Sequence, residues 1–307
     1  MRAVAIDSYG SGPEVRELPD PAVGPDSVLV RVQAASLNPV DYKILDGALD
    51  AAWPVVWPLV PGWDVAGVVA GVGPAVRGVE VGQPVVGYAR KDLVGTGTWA
   101  ELVAMPLGST APAPATLDPV AASCLPLAGL TAWQSLVEVL RVGPGDTVLV
   151  NAASGGVGHL AVQIAVALGA RVLGTASPAR HDFVRGLGAE PVAYGDGLAE
   201  AVRALAPEGV DAVADFAGGE GLEAAPGLLR APGRLASIVD ADGVHRLGGT
   251  YVFVRADAQQ LSELVALADA GRVVPHVQSV HGLDDVTAAV AEARAGVQGK
   301  VVLKVAD

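Results

Sequence analysis

Up to Pro119, short apolar runs alternate with glycine- and proline-rich turns, the pattern of half-buried strands. It predicts strands at Arg2–Ile6, Ser27–Ala34, Val65–Val72, Pro84–Tyr88 and Trp99–Ala104, with one helical piece at Pro39–Leu45. Beyond Pro119 strand and helix patterns alternate. Strands are expected at Thr147–Asn151, Arg171–Thr175, Glu190–Tyr194, Asp211–Phe216, Arg234–Val239 and Tyr251–Val254. Helices are expected at His159–Leu168, Ala179–Leu187, Leu198–Leu205 and Ala258–Ala270. Six strands joined by crossover helices predict a doubly wound parallel sheet. A last strand–helix–strand group, His276 to Val305, has no place in a six-stranded sheet and is assigned back to the β-rich part. The chain thus reads as α/β with two domains: a discontinuous β-rich domain over 1–120 and 273–307, and a doubly wound domain over 121–272.

A chain of 307 residues is long enough for two well-buried cores. Hydrophobic residues make up 51%, yet no apolar run approaches the ~18 residues that span a bilayer. The opening Met-Arg-Ala-Val-Ala-Ile-Asp is a short strand pattern broken by Gly10 and Pro13, not a signal peptide. The expectation is a soluble, cytoplasmic protein with no membrane partner. A net charge of −13 argues against a nucleic-acid partner, because phosphate backbones require a basic surface. The single cysteine, Cys124, excludes an intrachain disulfide and any multi-cysteine zinc site. Within the apolar run Ala121–Leu130 it reads as a small core residue.

The most informative motif is Asn151-Ala-Ala-Ser-Gly-Gly-Val-Gly158. It follows the strand pattern Asp146–Val150 and opens an apolar helix, which is how a dinucleotide-binding βαβ unit begins. Ser154, Gly155, Gly156, Val157 and Gly158 are the backbone expected to meet a pyrophosphate. Glycines allow the close approach, and unpaired N–H groups at the helix N-terminus meet the charge.

Several motifs then occur in order: Ser36-Leu-Asn-Pro-Val-Asp-Tyr-Lys43, Pro61-Gly-Trp-Asp-Val-Ala-Gly67, Gly97-Thr-Trp-Ala-Glu101, Leu127-Ala-Gly-Leu-Thr-Ala-Trp133, Ala152–Gly158 and Gly299-Lys-Val-Val302. With them the chain resembles, over nearly its whole length, the zinc-independent medium-chain dehydrogenase/reductase superfamily and its quinone and enone oxidoreductases. The resemblance implies a GroES-like catalytic domain, a Rossmann domain, an active site in the cleft between them, and hydride transfer from NADPH to an activated double bond or a quinone. It also implies a homodimer, supported by the sixth Rossmann strand.

Zinc-dependent relatives place a cysteine near Asn38-Pro39 and a Gly-His-Glu motif where this chain has Gly62-Trp63-Asp64. Those ligands and the four-cysteine structural lobe are missing, so no metal site is expected. The five histidines, at 159, 181, 245, 276 and 281, lie outside the β-rich segment and read as surface or cap residues. Without a Lewis acid, polarising a simple alcohol or ketone is hard. An enone or quinone accepts hydride at carbon and leaves an enolate-type oxygen that hydrogen-bond donors can stabilise.

NAD-binding sheets carry an acidic residue ~20 residues after the glycines. After Arg171–Thr175 this chain reads Ala176-Ser-Pro-Ala-Arg180-His181, with no carboxylate before Asp182. Ser177 and Arg180 can hold a 2′-phosphate, so NADPH is expected. By resemblance Tyr194 approaches the same phosphate and Thr131 faces the cofactor. Ala217, Ile238 and Val239 follow the fourth and fifth Rossmann strands, whose C-terminal ends border the ligand crevice.

At the reacting end, resemblance turns the Asn38–Lys43 segment toward the nicotinamide and its ribose. Asn38 and Lys43 are candidates to hold cofactor or substrate oxygen, and Tyr42 is a candidate proton donor. Each also has a bland role: Asn38-Pro39 fits a helix N-cap, and Asp41 fits first-turn support through the helix dipole. Trp53 and Trp57 sit in the proline-rich loop Ala51–Pro61, where relatives line the substrate mouth; they suit a flat apolar acceptor or cover the core edge. Tyr88 and Phe253 are further pocket candidates. The reading is therefore an NADPH-dependent oxidoreductase for a small apolar carbonyl or quinone substrate. Alternatives of the same fold are a pathway enoyl-thioester or polyketide-tailoring reductase and a non-catalytic NADPH-binding sensor.

Overall fold

The computed structural model describes residues 1–306. The first segment carries β1 (Arg2–Ala5), β2 (Glu14–Glu17), β3 (Ser27–Ser36), α1 (Pro39–Leu45), β4 (Val55–Val60), β5 (Asp64–Val72), β6 (Pro84–Tyr88), β7 (Val94–Thr96), β8 (Leu102–Pro106) and β9 (Thr110–Pro112). The helices α2 (Pro119–Ala122) and α3 (Pro126–Trp133) follow. Then come β10 (Thr147–Val150), α4 (Gly158–Ala167), β11 (Arg171–Thr175), α5 (His181–Gly186), β12 (Glu190–Val192) and α6 (Leu198–Leu205). They are succeeded by β13 (Ala212–Asp215), α7 (Gly219–Leu228), β14 (Leu235–Ser237), α8 (Ala241–Arg246) and β15 (Thr250–Tyr251). The chain closes with α9 (Ala258–Asp269), β16 (Val277–Gly282), α10 (Val286–Ala295) and β17 (Lys300–Lys304). Two compact units divide these elements. Met1–Leu127, Ala256–Gly271 and residues 275–306 form the first; Ala128–Arg255 and Arg272–Val274 form the second.

In the first unit a mixed sheet runs β16-β17-β3-β5-β6-β9, with β8 also paired to β3. Residues along β3 alternate between buried and more exposed, the two-residue period of a strand with one face on the core. Strand β17 runs antiparallel to β3, with Val302 opposite Ser36. The amide of Leu37, just past β3, donates to the Val301 carbonyl at 2.9 Å. That pairing brings Lys300 beside the start of α1, 262 residues away along the chain from Asn38.

In the second unit the sheet order is β12-β11-β10-β13-β14-β15, and all five pairs are parallel. Counted within the unit this is the 3-2-1-4-5-6 order of a doubly wound dinucleotide-binding sheet. Thr147–Val150 and Ala212–Asp215 are buried at every position. Helices cover both faces of such a sheet, which is why these strands read as continuous apolar runs. Leu149, Leu173, Val213 and Leu235 pack with Val202, Leu222 and Leu228 in its core.

Several elements depart from the sequence pattern. Val55–Val60, expected as loop, is a strand that pairs with β7 and bridges Ile6 through Leu59. The strand expected at Trp99–Ala104 starts instead at Leu102. Trp99 and Ala100 are already engaged with the N-terminal strand, the Trp99 carbonyl accepting from the Val4 amide at 2.8 Å. The sixth Rossmann strand is only Thr250–Tyr251. Helix α9 forms where expected but belongs to the first unit, where it packs on β9 and Thr116 bonds Asp269. Periodicity marks an apolar helix face without saying which core receives it.

Candidate functional site

The glycine turn of the second unit folds back on itself. Ala152 takes a left-handed conformation, with φ of 55°, and its carbonyl accepts from the Gly155 amide at 2.9 Å. A Cβ at Gly158 would lie 2.0 Å from that same carbonyl oxygen, so α4 can start there only on a glycine. Among the described residues, the amides of Gly156 and Val157 make no backbone hydrogen bond, and the N-cap Val157 offers no side-chain cap. An uncapped helix start behind a tight glycine turn fits a pyrophosphate. His159, expected as a surface or cap residue, is fully buried, with its Nδ1 2.9 Å from the Gly155 carbonyl.

Behind the turn, one polar side chain from each of four adjacent strand ends joins a buried chain. The Thr175 hydroxyl accepts from the Ala152 amide at 3.0 Å and donates to Asn151 Oδ1 at 3.4 Å. Asn151 Nδ2 donates to Asp215 Oδ1 at 3.1 Å, and Ser237 Oγ donates to Asp215 Oδ2 at 2.7 Å. The Gly218 amide also donates to Asp215. These bonds pin the C-terminal rim of β10, β11, β13 and β14. A short polar residue closing each apolar strand was the available sequence signal.

The 2′-phosphate candidates lie beyond β11. Ser177 starts a 3-10 turn whose last residue is Arg180, and Arg180 Nη1 reaches Ser154 Oγ on the glycine turn at 3.5 Å. The first acid after them, Asp182, is engaged with Arg185 at 2.6 Å. Tyr194 is 65% exposed beyond β12. Ala217 and Val239 are exposed and Ile238 half-buried just past β13 and β14, and Phe253 is 53% exposed past β15. Thr131 is buried in α3, where its carbonyl accepts from Ser135 Oγ.

In the first unit the start of α1 sits on a buried ionic network. Asn38 Nδ2 donates to Asp64 Oδ2 at 2.8 Å, and Asn38 Oδ1 accepts from Lys300 Nζ at 2.5 Å. Ser36 Oγ and the Leu127 amide also donate to Asp64, each at 2.7 Å. Lys300 Nζ donates to the Leu37 carbonyl at 2.9 Å and lies 3.8 Å from Asp64. Burial raises the Asp64 carboxyl above its ordinary range, opposed by the Lys300 charge and the three donors. Both ends of the Asn38 amide are therefore engaged within the protein. Asp41 accepts from the Asn38 amide at 2.8 Å, an acid reaching back to the helix start, and burial pushes its carboxyl up to about 8.

The remaining candidates of that unit separate. Lys43 is exposed on α1, and Tyr42 lies half-buried beneath the Arg294 guanidinium, 4.8 Å from the ring centre. Trp53 meets Trp63 edge-on, Trp63 meets Tyr88, and Trp57 meets Tyr9. A pocket walled by Ile44, Val60, Trp63 and Val94 opens beside Lys91 and Thr96; Trp53, Trp57 and Tyr88 do not line it. His276 and His281 belong to the first unit, within the C-terminal group assigned there from the sequence. Among the described residues, no three His, Cys, Asp or Glu side chains gather as a metal-holding group. Cys124 is buried beside Ala34 and Val302, its thiol pushed up to about 12 by burial. No described helix is long and apolar enough to cross a membrane. Lys300 carries the buried cation of the Asn38–Asp64 network, and in the sequence it stood out only as one residue of the Gly299–Val302 motif.

Comparison with known proteins gives the class. Residues 24–115 match the alcohol dehydrogenase GroES-like domain, and residues 156–245 match a domain described as zinc-binding dehydrogenase. An alcohol dehydrogenase superfamily protein from Novosphingobium aromaticivorans superposes with a TM-score of 0.90 at 30% identity, covering 99% of both chains. The quinone oxidoreductase from Coxiella burnetii does so at 0.87 and 30%, also over 99% of both. A chloroplastic quinone-oxidoreductase homolog from Spinacia oleracea is 36% identical over 202 residues, 62% of this chain and 60% of the relative. The chain thus spans about 60% of the length of that curated relative. It belongs to the medium-chain dehydrogenase/reductase family, with a GroES-like domain and a parallel-sheet Rossmann domain. Membership implies a nicotinamide cofactor, and the open amides of the glycine turn fit its pyrophosphate.

Proposed function

We propose that the chain is a cytoplasmic, homodimeric, NADPH-dependent oxidoreductase that adds hydride to the C=C of an enone or to a quinone without zinc. The observation that carries this reading is the Asn38–Asp64–Lys300 network. Where zinc-dependent relatives place cysteine and Gly-His-Glu ligands, this chain has side chains that hydrogen-bond one another. An amide, a tryptophan and a lysine-paired carboxylate are a poor donor set for a catalytic zinc.

When bound, the dihydronicotinamide supplies the hydride. The amides of Gly156 and Val157 would hold its pyrophosphate, with Ser154, Gly155 and Gly158 shaping the turn. Ser177, Arg180 and Tyr194 would hold the 2′-phosphate, and the approach of Arg180 to Ser154 supports that assignment. Thr131, Ala217, Ile238 and Val239 would flank the rest of the cofactor. Asn38 serves as a fixed element of the α1 start rather than a mobile donor, which leaves exposed Lys43 as the cationic donor of that segment. NADPH oxidation against a panel of quinones and alkyl enones, beside a simple alcohol with NADP⁺, tests the reading. Turnover of the panel without alcohol oxidation is expected; alcohol oxidation with no enone or quinone turnover overturns it.

A further inference from the structure

His159 is the one polar side chain among the buried residues of α4. Its buried neighbours there, Leu160, Ala161, Val162, Ile164 and Ala165, are all apolar. An imidazole among them carries a desolvation cost that a leucine would not, unless its hydrogen bonds offset it. Nδ1 lies 2.9 Å from the Gly155 carbonyl. A carbonyl oxygen only accepts, so Nδ1 carries a ring proton and donates it. The His159 amide donates to the same oxygen at 3.1 Å. On its other side Gly155 donates its own amide to the Ala152 carbonyl at 2.9 Å. Both backbone groups of Gly155 are thus tied.

We infer that His159 is a positioning residue for the dinucleotide's pyrophosphate: it fixes the direction of the Gly156 amide that meets the anion. The inference rests on the nicotinamide cofactor that family membership implies, and not on which acceptor is reduced. The peptide joining Gly155 to Gly156 has a glycine on each side, so no Cβ resists its rotation. It is trans, and the N–H of a trans peptide points opposite to the C=O. With the Gly155 carbonyl turned toward the ring, the Gly156 amide points away from it. Among the described residues that amide makes no backbone hydrogen bond, so its donor is open to a ligand. Two donors on the carbonyl also polarise the peptide and make its N–H a stronger donor. The direction is set before the anion arrives, so binding carries no cost of ordering this group.

His159→Leu keeps an apolar side chain in the core and removes the donor, whereas His159→Asn puts an amide N–H near the place of Nδ1. NADPH, NADH and adenosine 2′-monophosphate, which has no pyrophosphate, are each titrated calorimetrically into the full chain and both variants. Circular dichroism checks that the variants fold. His159→Leu should weaken NADPH and NADH by the same factor, about tenfold, and leave adenosine 2′-monophosphate within about twofold. His159→Asn should recover most of that loss. Undiminished dinucleotide binding by His159→Leu overturns the assignment. So does a loss that His159→Asn fails to recover, or an equal loss for adenosine 2′-monophosphate. A second measurement needs no variant to fold: the imidazole nitrogen resonances of the wild-type chain should show the proton on Nδ1. A ring protonated on Nε2 alone overturns the assignment. Wild-type chain that shows these binding losses yet reduces no quinone or enone would remove the reductase reading and keep the role of His159. Binding of neither dinucleotide by the wild-type chain overturns both.

Discussion

Replacing Lys300 with methionine keeps the length of the side chain and deletes the only cation among the groups bonded around Asn38 and Asp64. Lys300 is 2% exposed, and its ammonium serves the Leu37 carbonyl at 2.9 Å and Asn38 Oδ1 at 2.5 Å while standing 3.8 Å from Asp64. Its loss strands two buried acceptors, each worth roughly 1–3 kcal/mol if left unmade. It also leaves the Asp64 carboxylate buried without its counter-ion. Removing one member of a buried ion pair typically costs about 3–5 kcal/mol, and we expect Lys300→Met to fall in that range at pH 7–8.

The sign of the pH dependence follows from Asp64. Burial already raises its folded-state carboxyl above the ordinary value, and losing the Lys300 charge raises it further. A carboxyl raised on folding contributes stability that is present below its unfolded pKa and lost as pH rises through the folded value. The deficit of Lys300→Met should therefore shrink toward pH 5 and grow toward pH 8. Asp64→Asn in the same chain removes the stranded charge while leaving an oxygen for the Leu127 amide, and a flipped Asn38 can present its own oxygen to the new amide. The double variant should recover about 1–3 kcal/mol relative to additivity. Urea denaturation followed by tryptophan emission is the assay, since Trp53, Trp57, Trp63 and Trp99 of the five tryptophans lie in the first unit. A loss under about 1 kcal/mol for Lys300→Met, or simple additivity in the cycle, would show that the network is solvated and not a buried pair.

Arg180→Ala should weaken NADPH binding by about 1.5–3 kcal/mol and leave NADH binding nearly unchanged in calorimetric titrations, because one charge-assisted bond to the 2′-phosphate is lost; equal losses would move the phosphate site elsewhere. Gly158→Ala forces a Cβ to within 2.0 Å of the Ala152 carbonyl, so it should cost roughly 1–3 kcal/mol or more and abolish the thermal shift that NADPH gives. Purified protein should carry far less than one zinc per chain by metal analysis and keep its activity in chelator, whereas stoichiometric zinc tied to activity sinks the zinc-free reading. Lys91→Met should raise the denaturation midpoint at pH 7: the lysine's folded pKa is depressed to about 8, so its penalty is full below that pH and is relieved as pH rises toward the ordinary lysine value near 10.5. Allowing for solvent screening, that gain is roughly 1–2 kcal/mol, and water can replace the lost bonds at exposed Thr96.

How far the sequence was legible divides by the range of the interactions involved. The parallel sheet was readable because its central strands are buried on both faces and are apolar along their length; Arg171–Thr175 forms with the expected limits, as does Pro84–Tyr88 in the antiparallel part of the first unit. The glycine turn was readable because its requirement is local, a close approach between residues six apart. The partner of α9 was not readable, since an amphipathic pattern leaves open which core it covers. The lysines make the same point at the site. A chain that uses arginine for 16 of its 20 basic residues has only Lys43, Lys91, Lys300 and Lys304, and of these the sequence puts Lys43 nearest to Asn38. In the fold Lys43 and Lys304 are exposed, while Lys300 is buried and Lys91 is held between Thr96 and an apolar wall. An ammonium is a compact charge with rotatable donors, suited to the Leu37 carbonyl, the Asn38 amide and Asp64 together, where a planar guanidinium would demand a bidentate partner. Sequence neighbourhood put Lys43 next to Asn38, but strand pairing puts Lys300 there, and no local pattern encodes a contact across 262 residues.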